Sequence, residues 1–362
     1  MSQVQNVTGE TVIIPFKFEY YPLTKLALIN CEKQPDEHYL GFEPQYIDEE
    51  KAGYRVIAYR HDGYVDVYDE PQLNDGNDDS FDVTGKGLCE RLKTEITHTA
   101  FEKTDGRIYI SFQFTDKYGR KIATNISEKS SKKTNGINLL APIGSATENP
   151  SYLPVFFLYE FDFVRKHKTN IYVSIDGKEM IIDNFPWPLP KDFQWRYYTR
   201  YSDDCQIIEF AKASTGVLEE YTLDENGTIT LGQIDCHFSA DKKLKKMSLN
   251  RGTHPFTAEF KDGIPDIRKL SPDGNYEDTF SLKADPAMGT ISGRYSIVRK
   301  GDKVHLELVP DRGWEAVPNS RFTKMMFSKK SVFCTWPKTY RYMQLIDVIT
   351  LETSSRWERV KQ

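Results

Sequence analysis

Two carboxylates separated by a single residue, Glu160 and Asp162, stand in the run LPVFFLYEFDFV from Leu153 to Val164. Alternate side chains of a strand share a face. Val155, Phe157, Tyr159, Phe161 and Phe163 would therefore form one apolar face, and Phe156, Leu158, Glu160, Asp162 and Val164 the other. The two acids would lie roughly 7 Å apart by strand rise. Like charges in an apolar site split their pKa values, which is what an acid and base pair needs. A strand whose second face emerges into solvent near Arg165 and Lys166 has the same pattern. The run WPKTYRYMQLID, Trp336 to Asp347, is a counterpart, with Tyr340, Tyr342, Gln344 and Ile346 on one face and Arg341, Met343, Leu345 and Asp347 on the other. Arg341 and Asp347 must pair or reach water, because a buried unpaired charge is costly. Glu160, Asp162 and Asp347 are thus the candidate catalytic residues. Aromatic density peaks at WRYYTRY, Trp195 to Tyr201. The rings of Phe156, Trp187, Trp195, Tyr340 and Tyr342 are the candidate ligand-binding residues, since pockets are lined mostly by apolar and aromatic groups.

Other chemistries lack their signatures. There is no G-x-S-x-G, G-x-x-x-x-G-K-[ST], G-x-G-x-x-G or H-E-x-x-H, so nucleophile-elbow, phosphate-loop, dinucleotide and zincin chemistry are not indicated. Gly85-Lys86-Gly87 lacks the rest of a phosphate loop and reads as a turn. The seven histidines show no ligand spacing, so no metal site and no cofactor is expected. In Asp235-Cys236-His237 a strand would point the cysteine away from its two neighbours, which leaves a Cys-His nucleophile without its base. The acidic stretch from Glu70 to Asp82 fails as a calcium loop, because Gly76 at the EF-hand glycine would put Pro71 and Leu73 at ligand positions.

The elements that would carry these residues are strands. Asp62-Gly63, Asp176-Gly177 and Asn226-Gly227 have the turn chemistry of two-residue hairpins and sit inside Tyr54 to Asp69, Asn170 to Asp183 and Tyr221 to Leu231. Ile108 to Phe114 with Lys121 to Ile126, and Gly293 to Pro310, are two further hairpins by period-2 alternation. Only Gly87 to Ile96 and Asp48 to Gly53 offer short helical periodicity. The prolines 186, 188 and 190 in DNFPWPLPKDFQ forbid a central strand and bisect the chain. The expectation is an all-β protein of two antiparallel barrel or sandwich units, residues 1–185 and 195–362, joined by a Pro-rich linker.

A formal net charge of −5, from 48 basic and 53 acidic residues, argues against nucleic acid, whose phosphates call for a clustered positive surface. The densest basic stretch, Lys242 to Lys246, reads as a solvated loop or edge strand. No run approaches the ~18–20 apolar residues of a membrane span, and the polar N-terminus, with Val12-Ile13-Ile14 broken by Pro15, lacks a signal peptide. Five cysteines without C-x-x-C suggest reduced thiols, and the location expected is cytoplasmic.

The tandem plan with its central proline linker, together with GRYSIVRKGDKVHLELVP and the later VFCTWPKTYRYMQLID, resembles the double lipocalin-like proteins related to carotenoid hydratases. The resemblance implies a calycin barrel in each half and a large apolar ligand such as a polyene. It carries no catalytic residue with it. The functional expectation is a protein that binds or converts a small hydrophobic molecule in an aromatic-lined pocket. The alternatives are a carbohydrate-binding or carbohydrate-active β-sandwich, or a scaffold whose exposed rings pair two copies into a homodimer.

Overall fold

The computed structural model describes residues 11–48, 50–73, 86–130, 136–141, 149–185, 195–249, 254–328 and 337–360. The protein is all-β, with strands gathered into several sheets. Its two compact units are discontinuous in sequence: residues 1–20, 145–155 and 208–362 make the first, residues 21–144 and 156–207 the second. The proline linker read as a domain boundary, with Trp187, lies outside the described residues, as does most of the acidic stretch from residue 74. Among the described residues no helix is long and apolar enough to cross a membrane.

The first unit is built on one antiparallel sheet of ten described strands, nine of them a meander and the tenth, Thr215–Val217, added beside the last. In order across the sheet these are Thr215–Val217, Glu352–Arg359, Tyr340–Asp347, Lys303–Glu315, Thr290–Lys300, Asn275–Lys283, Phe256–Ile264, Leu244–Leu249, Ile234–Phe238 and Thr228–Leu231. Strands four places apart in a flat sheet would be about 19 Å apart. Yet the ring of Phe16 lies 5.8 Å from Phe260 and 6.2 Å from Tyr342, which stand on strands four places apart, so the sheet must curl around it. Phe210 completes the packing at 5.6 Å from Phe16 and 6.1 Å from Phe280. Tyr340, Tyr342, Gln344 and Ile346 all point into this core, as their alternation predicts. Cys236 is buried too, away from Asp235 and His237.

Two expectations of local structure are corrected. The Asn226-Gly227 turn forms but closes no hairpin, because Glu220–Thr222 pairs with Thr11–Ile13 and Thr228–Leu231 with Ile234–Phe238. A short helix, Arg321–Phe327, was not foreseen. It starts on a capping box between Ser320 and Thr323 and is anchored by Phe327 against Trp314 at 5.1 Å.

In the second unit two sheets enclose one core. One runs Lys178–Glu179, Thr169–Ile175, Lys121–Glu128, Arg107–Thr115, Thr97–Thr104. The other places the later part of Leu153–Arg165 beside Arg196–Ser202, then Leu23–Asn30, Tyr39–Ile47, Gly53–Arg60, Tyr64–Asp69 and Gly87–Lys93. Ile29, Phe42, Val56 and Tyr68 of one pack with Phe101, Ile110, Phe112 and Ile122 of the other. The hairpin at Asp176-Gly177 forms in the expected two-residue register; the one at Asp62-Gly63 forms one residue off it, with Tyr59 facing Val65. Gly87–Lys93, read as a helix, is instead a strand parallel to Tyr64–Asp69. A register shift at Cys89 sends Leu88 and Leu92 into separate apolar clusters, so an i, i+4 spacing that suggests a helical stripe serves two sheet faces.

Candidate functional site

The strand Leu153–Arg165 does not present Glu160 and Asp162 as a facing pair. Glu160 has φ 44°, a left-handed conformation that breaks the alternation. Gly136 is why the chain can kink there: a Cβ on it would meet the Glu160 Cα at 2.5 Å. Glu160 turns out to solvent and pairs with Lys103 at 2.6 Å, which also holds Asp203 at 3.1 Å. Asp162 accepts from the backbone N–H of Phe163 at 2.8 Å and lies 3.6 Å from Arg196. Two acids bound to different cations do not make an acid and base couple.

The other predicted residues disperse as well. Phe156 is buried, and Tyr340 and Tyr342 are fully so, with Tyr342 packed on Trp357 at 5.3 Å. Trp195 is 75% exposed. Asp347 accepts from Lys303 at 2.8 Å and from the N–H groups of Ile349 and Thr350, and these bonds, led by Lys303, hold its carboxyl well below the usual range. It stabilises a turn. Arg341 pairs with Glu358 and Glu307, so the two charges that had to find partners find separate ones. A half-buried ring row does occur in the second unit. Phe163 lies 4.7 Å from Phe185, Phe185 6.4 Å from Tyr198, and the Arg200 guanidinium 4.5 Å over Tyr198.

A concave site lies in the first unit, between residues that the sequence analysis did not propose as a site. Thr11–Ile13 and Glu220–Thr222 form a short antiparallel ladder, Thr11 facing Thr222 and Ile13 facing Glu220. Pro15 has no N–H to extend it, and its carbonyl instead accepts from Gln344 Nε2 at 2.6 Å. On the other side Ser214 exchanges bonds with Ser355, and Leu218 donates to the Leu351 carbonyl at 2.9 Å. The two segments therefore part beyond the ladder, leaving a slot of about 400 Å³ lined by Ile14 to Lys17, Glu19, residues 212–219, Tyr221 and Thr353. A signal was present in the sequence: a proline directly after a strand-like Val-Ile-Ile run marks where pairing must stop.

The walls of the slot are polar and charged. At one end Lys17 is 3.6 Å from Glu219 and 5.4 Å above the Tyr221 ring, and the Tyr221 hydroxyl donates to Glu219. At the other, Lys212 lies 3.2 Å from both Glu19 and the buried Glu209. Burial pulls both ammonium groups down, but their neighbours outweigh it and hold each above its ordinary pKa, Tyr221 and Glu219 for Lys17, Glu209 and Glu19 for Lys212. Glu219 is held low by the Tyr221 hydrogen bond, and the Tyr221 phenol is pushed up by burial. Both lysines are thus protonated at neutral pH. Among the described residues no histidine or cysteine lines the slot, and none cluster with acids as a metal site would require. The arrangement can hold a ligand by charge-assisted hydrogen bonds, and it offers no nucleophile with an adjacent base.

No family model matches the chain, nor does any curated protein or any solved structure.

Proposed function

We propose that the protein is a lipocalin-like binding protein whose ligand is a small, polar, carbohydrate-like molecule held in the slot of the first unit. The observation that supports this is the slot itself, whose volume falls in the range typical of ligand sites and whose two lining lysines, Lys17 and Lys212, are matched by two lining glutamates, Glu19 and Glu219. Balanced charges favour a neutral polyhydroxylated ligand over an ion, because each charged group still has donors or lone pairs for hydroxyl groups. Saturation-transfer NMR with glucose, maltotriose, chitotriose and glucuronate tests it. Transfer from at least one sugar, weakened in Lys17→Ala and Tyr221→Phe, is expected. Absence of transfer from all four overturns the reading.

The apolar ligand expected from the sequence has its own support in the second unit, where the half-buried row Phe163, Phe185 and Tyr198 could pack against a hydrocarbon. Parinaric acid fluorescence separates the two readings. Enhancement lost in Phe185→Ser, with no sugar response, favours the apolar one.

A further inference from the structure

The short helix of the first unit has two sides of opposite character. Thr323 and Phe327 are buried, which fixes the inward side. At 100° per residue, Met325 then points outward, with Phe322 beside it and Arg321 and Lys324 along its other flank. Phe322 is 48% exposed, Met325 52%, and Val317 just before the helix 49%. Single exposed apolar side chains are ordinary, but neighbouring ones rimmed by charge mark an interaction surface. The charged residues of the helix, Arg321 and Lys324, are both basic. From Ala316 to Ile346 the sequence has six Lys or Arg and no Asp or Glu, in a chain whose formal net charge is −5. Among the described residues Arg321 and Lys324 enter no ion pair, whereas the next basic residue described on a strand, Arg341, is neutralised by Glu358 and Glu307.

We propose that this surface, Val317, Arg321, Phe322, Lys324 and Met325, docks the protein on an anionic lipid membrane. Apolar side chains beside uncompensated basic ones suit the boundary between acyl chains and acidic headgroups, where the hydrophobic and electrostatic contributions add. The surface shares no residue with the slot and does not depend on what the slot binds. A protein partner with an acidic groove would need complementary depth, and two apolar side chains on one short helix with a third just before it offer little area for it.

The test is co-sedimentation of the full chain with phosphatidylcholine vesicles and with vesicles containing a third phosphatidylserine. Binding to the second alone, weakened by salt, is expected. Val317→Ser with Met325→Ser, and separately Arg321→Glu with Lys324→Glu, should each lower the partition coefficient at least about tenfold while leaving the melting curve unchanged, since all four side chains are exposed. Three outcomes would overturn the proposal: binding to neither vesicle, equal binding to both, or a variant that loses self-association rather than vesicle binding.

Discussion

The indole N–H of Trp357 donates to the carbonyl oxygen of Ala211 at 2.8 Å. Both residues are fully buried, and Ala211 has φ 51°, so the bond pins a backbone turn that enters the core of the first unit. Trp357→Ala should cost about 3–5 kcal/mol, the range for a buried aromatic. Trp357→Phe keeps most of the packing and should cost about 1–3 kcal/mol for the orphaned carbonyl. Urea melts measure both, and a wild-type midpoint for the Phe variant would mean the carbonyl has another donor.

Arg165 gives its backbone N–H, Nε and Nη2 to Glu128, at 2.7, 3.1 and 2.6 Å, and the Glu128 side chain is wholly excluded from solvent. Arg165→Met leaves that carboxylate buried with only backbone donors, a loss of about 3–5 kcal/mol. Adding Glu128→Gln should restore much of it. Equal stability of the single and double variants would refute the pairing.

Glu43 should make the second unit sensitive to pH. Burial pushes its carboxyl above the ordinary 4.5, and the hydrogen bonds from Tyr59 and Gln45 oppose the shift without cancelling it. The native state then binds the proton more tightly than the unfolded chain. Its contribution is complete below pH 4.5 and is lost as pH rises from there to the folded value. A carbon-13 carboxyl titration should place Glu43 above 4.5, and Glu43→Gln should flatten the melting temperature over that window. A resonance titrating at or below 4.5 removes the effect.

Thiol reactivity should be confined to one described position. Burial pushes Cys31 and Cys236 up to about 12 and Cys205 well above its ordinary value. Because the thiolate is the reactive form, iodoacetamide at neutral pH should label exposed Cys89 and spare those three. Cys334 lies outside the described residues. Peptide mass spectrometry reads the pattern, and early alkylation of Cys31 or Cys236 would show that the core opens.

What was legible in the sequence was local. Asp62-Gly63 and Asp176-Gly177 carry their own backbone geometry, and the alternation from Tyr340 to Ile346 needs only one buried face, so each could be read from adjacent residues. The kink at Glu160 could not, because it depends on Gly136 lying against it. The strand Gly87–Lys93 was hidden because parallel pairing with Tyr64–Asp69 leaves no turn signal between them. The slot required knowing that Val12 and Ile13 pair with Glu220 and Tyr221, a contact across about two hundred residues that no short pattern encodes.

The seat of Phe16 bears on how the chain can be made. Its neighbours Phe210, Phe260 and Tyr342 leave the ribosome long after it, at about 5–20 residues per second, so the N-terminal segment waits roughly 16 to 65 seconds before Tyr342 exists. Val12, Ile13, Ile14, Phe16 and Phe18, all buried in the finished molecule, have strand partners only from residues 204–210 and 220–222 onward, and the curled sheet around Phe16 is incomplete until Tyr342. Contacts so remote in sequence also fold slowly. The core around Phe16 therefore closes only once Tyr342 has been made, and until then a holding chaperone would find these apolar side chains uncovered.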